Sequence, residues 1–212
     1  MGICLAIVNQ KGGVGKSTTA VNLGACLAES GKRVLLVDID PQGNATSGVG
    51  IDKRQLDGCM YDVLIDGRDI KEVILPTEVS GLEAAPATLE LAGAEIELVS
   101  AMSREYRLKG SLDGVKGSYD YILIDAPPSL GLLTINALSA ANAALVPIQC
   151  EYYALEGVSQ LVSTVSLVKE HLNPNLEIAG VLMTMYDART NLSQQVVEEV
   201  AKFGQKYQLN PQ

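Results

Sequence analysis

A short apolar run, Ile3 to Val8, leads directly into Asn9-Gln10-Lys11-Gly12-Gly13-Val14-Gly15-Lys16-Ser17-Thr18, and a helical pattern follows at once. No other stretch of the 212 residues limits the fold as tightly. Glycines between a buried strand and a helix let the backbone curl so that several N–H groups converge on one point. The start of the helix adds partial positive charge there. The pattern G-x-x-x-x-G-K-[ST] of phosphate-binding loops is met except at its first position, where Gln10 stands in place of glycine. The loop also carries a lysine, Lys11, that the pattern does not require. Residues Lys11, Gly12, Gly13, Val14, Gly15, Lys16, Ser17 and Thr18 therefore form the expected nucleotide-binding set. Lys16 would neutralise the β- and γ-phosphates. The Ser17 hydroxyl would ligate Mg²⁺, a hard ion that prefers oxygen.

The rest of the chain alternates short apolar strands with helices. Strands are expected at 3–8, 34–37, 73–75, 81–85, 119–125, 143–148 and 177–184. Helices are expected at 17–29, 57–66, 87–99, 101–116, 131–141, 155–171 and 191–206. Residues 38–54, crowded with Pro41, Gly43, Asn44, Gly48 and Gly50, read as loop. This order predicts an α/β fold: a single domain over 1–212 with a mostly parallel twisted sheet and helices on both faces. The composition agrees, because 47% of residues are apolar but only 4% aromatic, which suits buried parallel strands rich in small aliphatic residues.

Other classes are disfavoured. The one histidine, His171, leaves no material for a His-rich zinc site or a Ser-His-Asp triad. Cys4, Cys26, Cys59 and Cys150 are scattered without a C-x-x-C and read as four buried thiols in a reducing compartment. No signal peptide opens the sequence and no apolar run approaches the roughly 20 residues of a membrane span, so a cytoplasmic location is expected. The net charge of −9 opposes bulk attraction to nucleic acid, so any DNA contact needs a local basic patch.

Ligands in such sheets bind at the carboxyl ends of strands, and two more charged motifs fall there. Asp125 closes the apolar run Ile122-Leu123-Ile124, the place for a carboxylate that touches Mg²⁺ directly or through water. Asp38-Ile39-Asp40-Pro41-Gln42-Gly43 puts two carboxylates around one residue. Alternate side chains of an extended segment share a face, so both are expected to point towards the phosphates. One of the pair would orient the attacking water and the other would hold Mg²⁺-bound water or a lysine. Asp40 is the catalytic candidate and Asp38 the magnesium candidate, with an Asx turn made with Pro41 as the structural alternative for Asp38.

Taken together, K-G-G-V-G-K-S, D-I-D-P-Q-G-N and D-A-P-P-S resemble the deviant-Walker ATPases, and within them the ParA/Soj partitioning proteins, relatives of MinD. C-E-Y-Y-A-L-E-G at 150–157 and T-M-Y-D-A-R-T-N at 184–191 match the same branch. The resemblance runs from residue 3 to about residue 206. It implies a Mg²⁺-dependent ATPase with slow intrinsic turnover that dimerises around ATP. Lys11 would then reach the partner subunit's nucleotide, as a lysine counterpart of an arginine finger, and Gly12 would admit the partner's backbone. The same resemblance implies non-specific DNA binding, with Arg189 as a contact, a nucleoid-associated location, and a centromere-binding ParB-type protein that stimulates hydrolysis. Members of that family continue with a further strand and helix, and against them this sequence, ending at Gln212, reads as shortened at its C-terminus.

Alternatives remain at this point. A MinD-like protein would bind membranes through an amphipathic helix, but Val196, Val197, Val200 and Ala201 suit a core-facing helix, so no stable membrane association is expected. A nitrogenase-type iron protein would need cluster cysteines, which are missing after Asp125. A nucleotide-binding module with little turnover is the third alternative.

Overall fold

Seven strands form one sheet: β1 Ile3–Ile7, β2 Val34–Asp38, β3 Leu75–Pro76, β4 Leu82–Ala85, β5 Tyr121–Asp125, β6 Ala143–Gln149 and β7 Glu177–Thr184. Their order is β3-β4-β2-β5-β1-β6-β7, and every pairing is parallel except β3 with β4. The computed structural model describes residues 2–150 and 154–206, without the side chains of 154–158, 192 and 203–206. Glu151, Tyr152 and Tyr153 of the family motif at 150–157 lie outside the described residues.

The strands are buried on both faces because their side chains alternate between two cores. Cys4, Ala6, Leu35, Val37, Ile122 and Ile124 point to one face. Ile7, Val34, Leu36 and Leu123 point to the other. The second face is covered by α1 Lys16–Glu29 and α2 Asn44–Gly48, which contribute Ala20, Ala28 and Ala45. Contact there is close: a Cβ on Gly24 would lie 3.3 Å from Leu82 Cδ1 and 3.5 Å from Leu123 Cδ1. The first face is covered by α3 Leu91–Glu97, α4 Arg107–Asp113, α5 Leu132–Ala140, α6 Ala154–His171 and α7 Asn191–Lys206. Val196 and Val200 of α7 are buried in that core, as expected of a core-facing helix.

Several local expectations need correction. Residues 38–54 include α2, whose Asn-Ala-Thr-Ser-Gly composition is poor in helix formers. Tertiary hydrogen bonds hold it instead, as described below. The expected helix over 57–66 contains a π-helical turn, Asp62–Asp66, closed by Gly67 at φ 74°. The expected helices 87–99 and 101–116 shorten to α3 and α4 with 3₁₀ turns beside them. Cys26 is exposed, whereas Cys4, Cys59 and Cys150 are buried.

Register places the three chemical motifs together. Asp125 is opposite Ile7 in β1 and opposite Asp38 in β2. The glycine loop leaves β1 two residues after Ile7, at Asn9, so loop and both aspartates share one carboxyl edge of the sheet.

Candidate nucleotide site

The glycine loop is fixed at three points. Asn9, nearly buried, donates from Nδ2 to the Pro147 carbonyl at 2.7 Å, and its Oδ1 accepts from the Lys11 N–H at 3.0 Å. Thr184, the last residue of β7, donates from Oγ1 to the Val14 carbonyl at 2.8 Å. Lys16 donates from Nζ to the Lys11 carbonyl at 2.9 Å. Gly13 (φ 75°) and Gly15 (φ 90°) adopt left-handed conformations that a side chain would strain. Helix α1 then begins with no side-chain cap and no acid in its first turn, so its positive end stays available to an anion.

These groups border a cleft of about 430 Å³, to which Gly12, Gly13, Lys16, Ser17 and Thr18 contribute from the loop and Asp40 from beyond β2. Lys16 is almost buried. Burial lowers its pKa, and the negative fields of Asp125 and Asp40 oppose that effect. Lys11 is exposed.

The two aspartates after β2 separate in role. Asp40 lines the cleft and uses Oδ1 to accept the Gln42 N–H at 2.9 Å. Asp38 turns inward. Its Oδ1 accepts the Asp40 N–H at 3.1 Å, and its Oδ2 accepts the Thr46 N–H at 2.8 Å and the Thr46 hydroxyl at 2.7 Å. Of the two carboxylates expected to point the same way, Asp40 borders the cleft and Asp38 does not; Asp38 makes the Asx-type contact and anchors α2. Burial still pushes Asp38 up to about 6, against those hydrogen bonds.

Asp125 is wholly buried, and neither carboxylate oxygen has a hydrogen-bond partner of normal geometry. The Ser17 hydroxyl is near enough to lower its pKa, as is Lys16, but burial and the neighbouring Asp38 outweigh them and push it up to about 7. An unpartnered buried carboxylate is costly. A divalent cation beside Ser17 is the group that would satisfy it, so Ser17 and Asp125 fit Mg²⁺. Among the described residues, no cluster of three or more His, Cys, Asp or Glu could hold a metal alone.

Sequence reasoning missed Thr184, Thr46 and Met185. Met185 also lines the cleft, at a left-handed φ of 54°. Arg189 is exposed and its guanidinium grips Asp187, with Nη2–Oδ2 at 2.7 Å and Nε–Oδ1 at 2.9 Å.

Known proteins place the chain. Residues 2–178 match the AAA domain family AAA_31. The sporulation initiation inhibitor protein Soj of Bacillus subtilis is 65% identical over 203 residues, which is 96% of this chain and 80% of that protein. The chain belongs to the ParA/Soj family of partitioning ATPases. ParA of Myxococcus xanthus, a chromosome partitioning protein, is 55% identical over 97% of this chain and 73% of its own length. Among solved structures, a Mycobacterium smegmatis protein titled cobyrinic acid a,c-diamide synthase, with bound ADP and magnesium, superposes at TM-score 0.91 and 44% identity, covering 95% of this chain and 82% of that one. A Borrelia burgdorferi plasmid partition protein superposes at TM-score 0.81 and 28% identity, covering 94% and 85%. The mostly parallel α/β fold of this chain thus agrees with the ParA-like relatives in sequence and in structure.

Proposed function

We propose that this chain is an ATP-hydrolysing switch that closes into a homodimer on Mg²⁺-ATP, binds DNA without sequence preference, and serves chromosome or plasmid partitioning. The observation that carries the reading is the pairing of Lys16, held by the Lys11 carbonyl, with the unpartnered Asp125 beneath Ser17. One group awaits phosphate and the other a cation.

Loop N–H groups and Lys16 bind and orient the triphosphate. Ser17 and Asp125 hold Mg²⁺, which when bound neutralises charge on the phosphate oxygens. Asp40 orients the attacking water at the γ-phosphate from across the cleft. Asp38 sets the position of Asp40 through its backbone N–H. Lys11 extends from the exposed edge to the partner subunit's nucleotide, where its charge counters that developing on the phosphates. Loss of the γ-phosphate then loosens the dimer. Catalysis is by positioning and electrostatics alone, so unstimulated turnover is slow. A centromere-binding ParB-type protein would raise it, and Arg189 would contact DNA phosphates. No described helix is long and apolar enough to cross a membrane.

Phosphate release by the purified chain, with and without DNA, tests this reading. Turnover should require Mg²⁺ and vanish in Asp40→Ala with nucleotide binding retained. Turnover that survives Asp40→Ala would remove Asp40 from the chemistry, and no turnover under any condition would leave only a nucleotide-binding module.

A further inference from the structure

Among the described residues, the buried carboxylate oxygens without a hydrogen-bond partner belong to Asp125 and Glu95. Glu95, on α3, presents its carboxylate to Gly131, the residue before α5. A Cβ on Gly131 would collide with Oε1 and lie 2.8 Å from both Cδ and Oε2. The backbone there, at φ −79° and ψ −170°, is open to any residue. Space for the carboxylate, and not conformation, is what requires glycine at this position. Helix α5 starts without a side-chain cap and without an acid in its first turn. The unpaired N–H groups and partial positive charge of such a helix start attract a carboxylate, and here it comes from another helix.

Gly131 is the far end of a short tether. Strand β5 ends at Asp125, and Ala126, Pro127, Pro128, Ser129 and Leu130 follow before Gly131. Two prolines restrict the backbone of this segment. Ser129 ties it to itself and to α5. Its N–H donates to the Pro127 carbonyl at 2.8 Å, its carbonyl accepts the Thr134 hydroxyl at 2.8 Å, and its hydroxyl accepts the Gly131 N–H at 3.4 Å. Pro128 borders the nucleotide cleft. A displacement of Gly131 therefore meets little slack before it reaches Pro128 and Asp125.

We propose that Glu95 is a positioning residue of the nucleotide site: its carboxylate, seated on Gly131 at the start of α5, fixes the tether 126–130 and through it Pro128 and the Asp125 carboxylate. The inference rests on the reading of Ser17 and Asp125 as the Mg²⁺ side of the site. Glu95 itself lies outside the cleft and acts only through the tether. A packing role alone would be served as well by an amide of the same shape, whereas a carboxylate held by the charge of α5 would not be replaced by one. Residues that orient a metal-bearing side chain from behind control roughly ten- to a hundredfold in metal affinity or activity.

Two readouts on the full chain test this. One is the rise in melting temperature that Mg²⁺ adds to ADP, titrated with Mg²⁺; the other is ATP turnover over the same titration. Glu95→Gln keeps the shape and removes the charge. It should raise the Mg²⁺ concentration for half of the effect by about tenfold in both readouts. The shift given by ADP without Mg²⁺ should stay unchanged, since the glycine loop and Lys16 are untouched. Gly131→Ala should raise the Mg²⁺ requirement in the same way, by collision with Glu95. Adding Glu95→Asp, one methylene shorter, should bring that chain back to within about threefold of wild type. Should Gly131→Ala fail to fold, Glu95→Gln carries the test. A Glu95→Gln chain with the wild-type Mg²⁺ requirement, whether or not it melts lower, would overturn the proposal, because Glu95 would then only hold α3 to α5. So would a Gly131→Ala defect that Glu95→Asp leaves in place. No Mg²⁺ effect on wild-type melting with ADP would remove the magnesium site and this inference with it. A Glu95-dependent Mg²⁺ shift in a chain that never turns over ATP would remove the switch and leave the positioning role standing.

Discussion

The Lys16 ammonium donates to the backbone carbonyl of Lys11 at 2.9 Å, so one loop lysine is held in place by the main chain of the other. The backbone of Lys11 thus works within its own subunit while its side chain faces outward. An arginine there would have to fit a longer, planar head into the buried position that Lys16 occupies. Lys16→Arg is therefore expected to lose ATP affinity by about a hundredfold, close to Lys16→Ala, although charge is conserved. Titration with a fluorescent ATP analogue measures this; near-normal affinity in Lys16→Arg would show that charge alone suffices.

Gly12 is open. A Cβ there would meet nothing within 4 Å, and its φ is not in the left-handed range, unlike those of Gly13 and Gly15. Gly12→Val should leave the ligand-free monomer's melting temperature nearly unchanged. It should abolish the proposed ATP-dependent dimerisation, because a branched side chain would occupy the space the partner's backbone would need. Light scattering with and without ATP distinguishes the two effects.

Asp125 gives a pH signature. Its folded pKa of about 7 and that of Asp38, about 6, both stand above the ordinary 3.8. Below pH 3.8 folded and unfolded chains are both protonated at these sites. Between 3.8 and about 7 the unfolded chain ionises first and holds fewer protons, so stability falls as pH rises and levels off above 7. Asp125→Asn should flatten that fall and raise the melting temperature of the ligand-free protein near pH 8 by on the order of 5 °C. The same variant should lose the extra stabilisation that Mg²⁺ adds to ATP. A melting curve series across pH checks both signs.

Much of this site was legible because its signals are local. The loop, Asp40 and Asp125 sit at strand ends that apolar runs mark clearly, and parallel pairing brings those ends to one edge. The inward turn of Asp38 was not legible, since it depends on Thr46, eight residues on, in a helix whose own residues favour loop. Nor was the Thr184 clamp on Val14, a contact across 170 residues. A helix was expected over 87–99, but only the packed fold shows that Leu91 and Leu98 take the core and leave Ile96 and Val99 outside.

Arg189 is tied to Asp187 on an exposed loop, so under the proposed function a DNA phosphate would compete with that pair. Asp187→Ala should strengthen DNA binding in the ATP state. Arg189→Ala should weaken it and reduce the salt slope by about 1 per subunit. Salt titrations of DNA binding by anisotropy measure both; an unchanged slope in Arg189→Ala would remove that residue from the interface.

The central claim is that Lys11 serves the neighbouring subunit's nucleotide, and mixing two inactive variants tests it most directly. In a dimer of Lys11→Ala with Asp40→Ala, trans action leaves one composite site complete: Asp40 comes from the first chain and Lys11 from the second. An equal mixture with saturating Mg²⁺-ATP should then recover about a quarter of wild-type turnover, since half of the dimers are mixed and each has one of two sites intact. If Lys11 acts on its own subunit's nucleotide, both sites of the mixed dimer are defective, and a mixture as inactive as its parents would contradict the account.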